Sequence, residues 1–135
     1  MRFWQGMLTL AMGVGAALAH AGDAGVTATE IRLGPSAVLT GPLGPQTIQY
    51  GEGARLLFDS INAKGGIHGR KITLTSLDDA FDVKRAADNT RRLVEDDKVF
   101  LLFNNTGTAH TGAVLPYLDE QKTILFGPVT GASQF

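Results

Sequence analysis

Two hydrophobic periods alternate along this chain of 135 residues, and the alternation limits its fold more than any other feature. Residues 31–39 have the mostly apolar pattern of a strand that is covered on both faces. The next segment changes to helical spacing, with an apolar face at Ala54, Leu57, Phe58 and Ile61. Further strands are predicted at residues 72–77, 99–103 and 123–126, with helices that begin near Asp82 and Thr108 between them. The alternation predicts an α/β fold in three layers, a parallel sheet with helices on both faces.

Glycine and proline mark the ends and the irregular points of these elements. Gly65 and Gly66 end the first helix in the manner of a left-handed cap, and Asp82 can cap the second helix. Pro116 lies inside the third helix, where it removes one hydrogen bond. Pro35 lies inside the first strand, where it removes a donor from the ladder. The third helix and the first strand are therefore expected to be irregular.

The N-terminal residues have the order of a secretory signal peptide. A positively charged start precedes an apolar stretch at residues 7–18, which is too short for a spanning helix. A small-x-small cleavage site ends at Ala21. We therefore predict a signal peptide over residues 1–21, cleavage near Ala21, and a mature domain over residues 22–135 that works in the periplasm.

Composition excludes several classes of partner. The chain has no cysteine, so it can form no disulfide and carry no lipid at the cleavage site. Its 12 basic and 13 acidic residues are scattered and nearly cancel, which argues against nucleic acid and anionic membrane surfaces as partners. We therefore expect a soluble exported protein.

In a parallel sheet of this kind, ligands bind outside the carboxyl ends of the strands. The loops at that edge are residues 40–46, 78–82, 104–111 and 127–133. The third of these loops follows a buried strand and opens a helix, where free backbone N–H groups and threonine hydroxyls favour a negative charge. A carboxylate is the predicted ligand group. The alternative is that Thr106 or Thr108 is only an N-cap.

No catalytic, nucleotide or metal site is predicted. The glycine-rich loops lack the patterns that bind phosphate. Asp78, Asp79 and Asp82 could form a metal cluster or an acid/base pair, but their place at a strand end favours turn formation and helix capping. His68 is interpreted as a solvated turn residue, because it has no second ligand at metal-binding spacing. His110 lies in the candidate loop without a serine or cysteine nucleophile. The sequence predicts a binding protein with no cofactor and no enzymatic activity.

Several short motifs along the chain form a set. The most specific is INAKGGIHG at residues 61–69. The others are Leu39-Thr40-Gly41-Pro42, Gly53-Ala54, Asp78-Asp79, Gly107-Thr108 and Gly127-Pro128. Together they resemble the periplasmic substrate-binding proteins of ABC transporters, in the group of leucine/isoleucine/valine-binding proteins. Members of that group have the type I periplasmic binding fold, with two α/β lobes joined by a hinge, and this chain resembles most of the first lobe.

The resemblance also implies where a ligand binds. In amino-acid-binding members, a hydroxyl residue and neighbouring N–H groups in the third loop hold the α-carboxylate, and Thr108 and Ala109 match those positions. Carbonyl and hydroxyl groups in the fourth loop receive the α-ammonium, which implies Val129 and Gly131. Many amino-acid binders have a hydroxyl side chain where Gly131 has none. The adjacent Thr130 is therefore a further candidate.

A large side chain that lines the pocket in relatives corresponds to Gln46, which implies an altered pocket for the ligand's side chain. The resemblance implies solute capture for an ABC-type importer, with a branched-chain amino acid or a similar small carboxylate-bearing ligand bound between two lobes and presented to a membrane permease. Two alternatives stay open, the ligand-sensing ectodomain of a receptor and a doubly wound enzyme such as a hydrolase. Because the chain stops just after its fourth predicted strand, we interpret it as a truncated N-terminal lobe.

Overall fold

The computed structural model describes residues 23–133, so the predicted signal peptide lies outside the described residues. The strands are β1 Glu30–Gly34, β2 Ser36–Ala37, β3 Lys71–Leu74, β4 Leu77–Asp78, β5 Leu101–Phe103 and β6 Ile124–Phe126. The helices are α1 Gly44–Ala63, α2 Val83–Glu95 and α3 Thr108–Glu120. Strands and helices therefore alternate as the hydrophobic periods predict.

A parallel sheet of four strands forms the middle layer, in the order β3-β1-β5-β6. β1 pairs in parallel with both β3 and β5, and β5 pairs in parallel with β6. Helices connect these strands, as parallel pairing requires. The predicted α/β fold class is confirmed.

The first predicted strand is interrupted at Pro35. β2 pairs with β4 as a separate two-stranded parallel sheet. Pro35 has no N–H to donate, but its carbonyl oxygen accepts a hydrogen bond from the Leu77 N–H at 3.0 Å. The predictions of unbroken strands over residues 31–39 and 72–77 are therefore wrong in extent, although the hydrogen bonding continues across the interruption.

Two of the predicted helix ends are confirmed. Gly65 and Gly66 follow α1 with φ values of 101° and 75°. A Cβ atom on Gly66 would lie 2.0 Å from the carbonyl oxygen of Arg70, so only glycine fits there. At the start of α2, Asp82 Oδ1 accepts a hydrogen bond from the Arg85 N–H at 2.7 Å. These ends depend on neighbours in the sequence, which is why the pattern of residue types predicts them.

Helices lie on both faces of the sheet. On β5, Leu102 belongs to a buried core with Leu93 of α2 and Leu118 of α3. The next residue, Phe103, points to the opposite face because side chains alternate along a strand. There it contacts Phe58 of α1, with ring centroids 5.6 Å apart. α2 and α3 therefore cover one face of the sheet, and α1 lies on the other.

The helix α1 buries less apolar surface than its pattern predicts. Leu57 was expected on the buried face, yet it is 59% exposed. The fully buried residues of α1 are Gly44 and Thr47. Because α1 packs against β3, an edge strand, part of its apolar face has no strand beneath it. Within residues 23–133, no helix is long and apolar enough to cross a membrane.

Candidate functional site

The loops after β5 and β6 are joined at the carboxyl edge of the sheet. Thr106 and Val129 form a parallel bridge. The Val129 N–H donates to the Asn105 carbonyl oxygen at 2.8 Å, and the Gly107 N–H donates to the Val129 carbonyl oxygen at 2.9 Å. These bonds extend the pairing of β5 with β6 beyond the strands themselves. The two loops therefore form one surface.

Thr108 and Thr130 meet on this surface. Their hydroxyl oxygens lie 2.8 Å apart, and the Thr130 hydroxyl also accepts a hydrogen bond from the Ala132 N–H at 3.2 Å. Thr108 is exposed and Thr130 is half-buried. Because each hydroxyl has one proton and two lone pairs, the pair shares one proton internally and has the other available for an outside acceptor.

The N-terminus of α3 lies directly beside this hydroxyl pair. Its N-cap is Gly107, which has φ 108° and makes no side-chain capping bond. The Thr111 N–H donates to the Gly107 carbonyl oxygen, so only the N–H groups of the three residues before it, 108–110, have no partner within the helix. The hydroxyl of Thr106 is buried and has no hydrogen-bond partner within residues 23–133. The alternative that Thr106 or Thr108 is only an N-cap is therefore wrong.

The other predicted ligand-binding residues lie in different surroundings. The Val129 carbonyl oxygen already accepts the Gly107 N–H, which leaves it one lone pair. Gly131 is exposed, and a Cβ atom there would meet no described atom within 4 Å. Gln46 lies in the first turn of α1 and donates from Nε2 to the Tyr50 hydroxyl at 2.7 Å. The structure thus gathers the residues of α3 and the last loop on one surface and places Gln46 on a separate element.

Asp78, at the end of β4, ties the neighbouring loops together. Its Oδ1 accepts the N–H groups of Leu39 and Ala80, each at 2.9 Å. Its Oδ2 accepts the Thr40 hydroxyl at 2.8 Å. Burial by itself would raise the pKa of Asp78, but the hydrogen bonds from Thr40, Ala80 and Leu39 outweigh it and lower that pKa below its ordinary value. Asp78 is therefore an ionised carboxylate that fixes the loop after β2 against the loop after β4.

Asp79 is fully buried and has a similar structural role. Its Oδ2 accepts the Ser36 hydroxyl at 2.9 Å, and its Oδ1 accepts the Phe81 N–H at 2.9 Å. The interpretation of Asp78, Asp79 and Asp82 as turn and capping residues is confirmed. In the part of the chain that the structure describes, no group of three histidine, cysteine or acidic residues is placed to hold a metal ion.

Two apolar hollows lie beside α1. One has a volume of about 270 Å³ and is lined by residues that include Leu39, Ile48 and Phe103. The other, of about 450 Å³, extends from Tyr50 along Phe103 to Val129. The wall of the first comes from α1 and the strands β2, β3 and β5, and the wall of the second comes from α1, β5 and the last loop, which are segments distant in the chain. No local sequence pattern could reveal them.

The two histidines that the sequence singled out lie in different surroundings. His68 is an exposed turn residue with φ 49°, as predicted. His110 is only 5% exposed, so it lies beneath the candidate surface. Its ring stacks on that of Phe81, with centroids 4.7 Å apart. Phe81 was not identified as a site residue from the sequence. The one feature of the sequence that could have pointed to it is its position directly after the turn formed by Asp78 and Asp79.

Several known proteins are similar to this chain over most of its length. Residues 30–135 match the family described as periplasmic binding protein. The Leu/Ile/Val-binding protein BraC3 of Rhizobium johnstonii is 35% identical over 104 residues, which cover 77% of this chain and 25% of BraC3. A solved structure of a possible leucine/isoleucine/valine-binding protein from Rhodopirellula baltica has 31% identity and a TM-score of 0.75, and the match covers 86% of this chain and 30% of that one.

A second solved structure is the branched-chain amino acid transporter substrate-binding protein LivJ from Streptococcus pneumoniae, in complex with isoleucine. It has 27% identity and a TM-score of 0.71, and the match covers 78% of this chain and 30% of that one. The present chain therefore spans between 25% and 30% of the length of these relatives.

Proposed function

We propose that this chain, which belongs to the periplasmic binding protein family, forms the N-terminal lobe of a protein that captures a solute for an ABC-type importer. The family consists of binding proteins rather than enzymes, in agreement with the expected lack of a catalytic site. The observation that carries the proposal is the Thr108 and Thr130 hydroxyl pair, 2.8 Å apart, at the N-terminus of α3. Hydroxyl groups beside a helix N-terminus suit a negatively charged ligand group.

The proposed ligand is a branched-chain amino acid or a similar small molecule that bears a carboxylate. Two relatives support this class. BraC3 is by name a Leu/Ile/Val-binding protein, and the pneumococcal LivJ structure contains isoleucine. Both align with this chain, which forms the lobe that carries the hydroxyl pair. That pair is the part of the site that this chain can contribute.

In the proposed complex, the ligand's α-carboxylate accepts hydrogen bonds from the Thr108 hydroxyl and the Ala109 N–H. The α-ammonium donates to the free lone pair of the Val129 carbonyl, to the Gly131 carbonyl and to the Thr130 hydroxyl. Gln46 borders the ligand from α1. Selectivity follows because a ligand that lacks either charged group would leave polar groups of the site unpaired, at a cost of about 1–3 kcal/mol each.

The remaining parts of the proposal concern the whole protein. We infer that a second lobe closes over the ligand, excludes water and completes the site before the ligand reaches a membrane permease. We further infer that residues 1–21 direct export and are removed near Ala21, so that residues 22–135 function in the periplasm.

The test is Thr108→Val in the protein expressed from its complete reading frame. Valine keeps the shape of threonine but removes the hydroxyl, so we expect calorimetric titration with L-leucine to show binding weaker by about 1–3 kcal/mol, the usual loss for a hydrogen bond to a charged group. The thermal midpoint should change little, because Thr108 is exposed.

Thr123→Val is the matched control, since Thr123 directly precedes β6 at the opposite, amino edge of the sheet. Its affinity for L-leucine should equal that of the wild type. Equal affinity in Thr108→Val and wild type would exclude Thr108 from the site. A wild-type protein that binds none of the twenty amino acids would refute an amino acid as the ligand.

A further inference from the structure

An exposed aromatic residue stands at the same edge of the sheet in an unusual backbone conformation. Phe81 follows β4, and its side chain is 51% exposed. Its φ is 63°, and that of the preceding Ala80 is 49°. Bulky L residues rarely adopt such positive values. The two adjacent aspartates hold this conformation, because Asp78 accepts the Ala80 N–H and Asp79 accepts the Phe81 N–H, each at 2.9 Å.

The other side of the Phe81 ring rests on a buried histidine. The Phe81 and His110 rings stack with centroids 4.7 Å apart and an angle of 27° between their planes. His110 is 5% exposed, and neither ring nitrogen has a hydrogen-bond partner within residues 23–133. A buried polar ring without partners is unfavourable, so packing alone does not account for this pair.

His110 also connects Phe81 to the N-terminus of α3. A Cβ atom on Gly107, the N-cap of α3, would lie 2.5 Å from His110 Nδ1, so the imidazole lies against the backbone that precedes Thr108. The stack therefore links the Phe81 ring, through His110, to the backbone segment that leads into Thr108 of the candidate site. One face of that ring is covered by His110, and half of the residue is open to solvent.

We propose that Phe81 is the apolar wall of the ligand site and packs against the aliphatic side chain of an amino acid whose carboxylate is held at Thr108. The inference rests on the proposed function and adds a specificity-determining residue to it. An apolar side chain gains free energy when it leaves water for contact with an aromatic ring. Residues held in strained conformations are concentrated at ligand clamps, which accords with this assignment.

The experiment compares L-leucine with L-alanine on the protein expressed from its complete reading frame. In Phe81→Ala, the dissociation constant for L-leucine should rise about 10- to 50-fold, because the contact with the isobutyl group is lost. The constant for L-alanine, which has only a methyl group to place there, should rise less than about threefold. The ratio of the two constants is the decisive quantity.

Phe81→Gly separates this role from a structural one. Glycine adopts the positive φ without strain, so the fold should keep its thermal midpoint within about 3 °C while L-leucine binding weakens as in Phe81→Ala. Leu56→Ala, which alters an exposed leucine of α1, should leave both dissociation constants unchanged.

Three results would overturn the inference. Unchanged L-leucine affinity in both Phe81 variants would refute it and leave the proposed function standing. An equal loss for L-leucine and L-alanine would show that Phe81 supports closure of the site and does not select the side chain. Absence of amino-acid binding by the wild type would refute the amino-acid ligand on which this inference rests.

Discussion

The two faces of the sheet are closed to different extents. On the face covered by α2 and α3, Leu93 and Leu102 are fully buried. On the α1 face, Ile124 and Phe126 of β6 are 56% and 60% exposed. The connection from β1 to β3 runs towards one edge of the sheet, and the connections that contain α2 and α3 run the opposite way. Because such crossovers are right-handed, α1 lies on one face and the other two helices share the second face.

The helix on the open face makes side-chain hydrogen bonds to neighbouring backbone near both of its ends. Near its start, the Thr47 hydroxyl donates to the Val38 carbonyl oxygen. Near its end, Asn62 donates from Nδ2 to the Ile72 carbonyl oxygen and accepts the Ile72 N–H at Oδ1, both at 2.8 Å. α2 and α3, by contrast, pack through buried leucine and valine side chains. A helix with little buried apolar area can therefore still be fixed in register by side-chain bonds to the backbone of neighbouring segments.

The largest change in the free energy of unfolding should follow from a substitution on the face covered by α2 and α3. Leu102→Ala removes a fully buried side chain and leaves a cavity, so we expect the free energy of unfolding to fall by about 2–5 kcal/mol. The matched substitution on the open face, Leu56→Ala, should change it by no more than about 0.5 kcal/mol, because Leu56 is 73% exposed. Urea titration of both variants measures the difference. Similar losses in the two variants would contradict the asymmetry of the faces.

A smaller loss is expected when the polar attachment of α1 is removed. Asn62→Ala leaves the N–H and C=O groups of Ile72 without their side-chain partner, which should cost about 2 kcal/mol. Gln49→Ala, on the exposed surface of the same helix, is the control and should be close to neutral. Hydrogen exchange should show faster opening of α1 in Asn62→Ala, with α2 and α3 unaffected. Loss of protection in all three helices would show that α1 is not held separately.

The smallest change in the free energy of unfolding should follow from a fall in pH. It should involve the carboxyl edge of the sheet rather than either face. The pKa of Asp78 is lower in the folded protein than its ordinary value of about 3.9. Its bonds therefore stabilise the folded state fully above that value, and this contribution is lost as the pH falls through the folded-state pKa.

Asp78→Asn tests this role of the carboxylate. Near neutral pH we expect a loss of about 1 kcal/mol, because a charged acceptor is replaced by a neutral one. Below about pH 4 the difference from wild type should shrink, since Asp78 becomes protonated in the wild type. Urea titrations from pH 7 to pH 3 measure both quantities. A difference that does not vary with pH would show that the charge of Asp78 is unimportant.

Local features of the fold could be predicted from the sequence, and contacts between distant segments could not. The cap at Asp82 and the left-handed turn at Gly65 and Gly66 involve groups within a few residues, so residue types suffice to predict them. Leu57 was assigned to a buried face because helical spacing identifies an apolar stripe but not whether a strand lies beneath it. The exposure of α1 follows from its position over the edge strand β3.

In the candidate site, too, local features could be predicted from the sequence and contacts between distant segments could not. A helix that opens after a buried strand identifies the loop of Thr108, and the alternation of strands and helices places this loop at the carboxyl edge of the sheet with three other loops. The 2.8 Å contact between Thr108 and Thr130 joins the loop after β5 to the loop after β6. The stack of Phe81 on His110 likewise joins two loops, and periodicity contains no information about it.

Residue types alone predict the layered α/β class, the direction of the strands and the ends of two helices, because these depend on hydrophobic period, on right-handed crossovers and on backbone preferences of neighbouring residues. The packing of the folded chain sets which face of the sheet is closed, which threonines meet at the carboxyl edge and that His110 lies buried against Phe81. Those outcomes depend on the register and packing of segments far apart in the chain, where a shift of one residue exchanges a buried side chain for an exposed one.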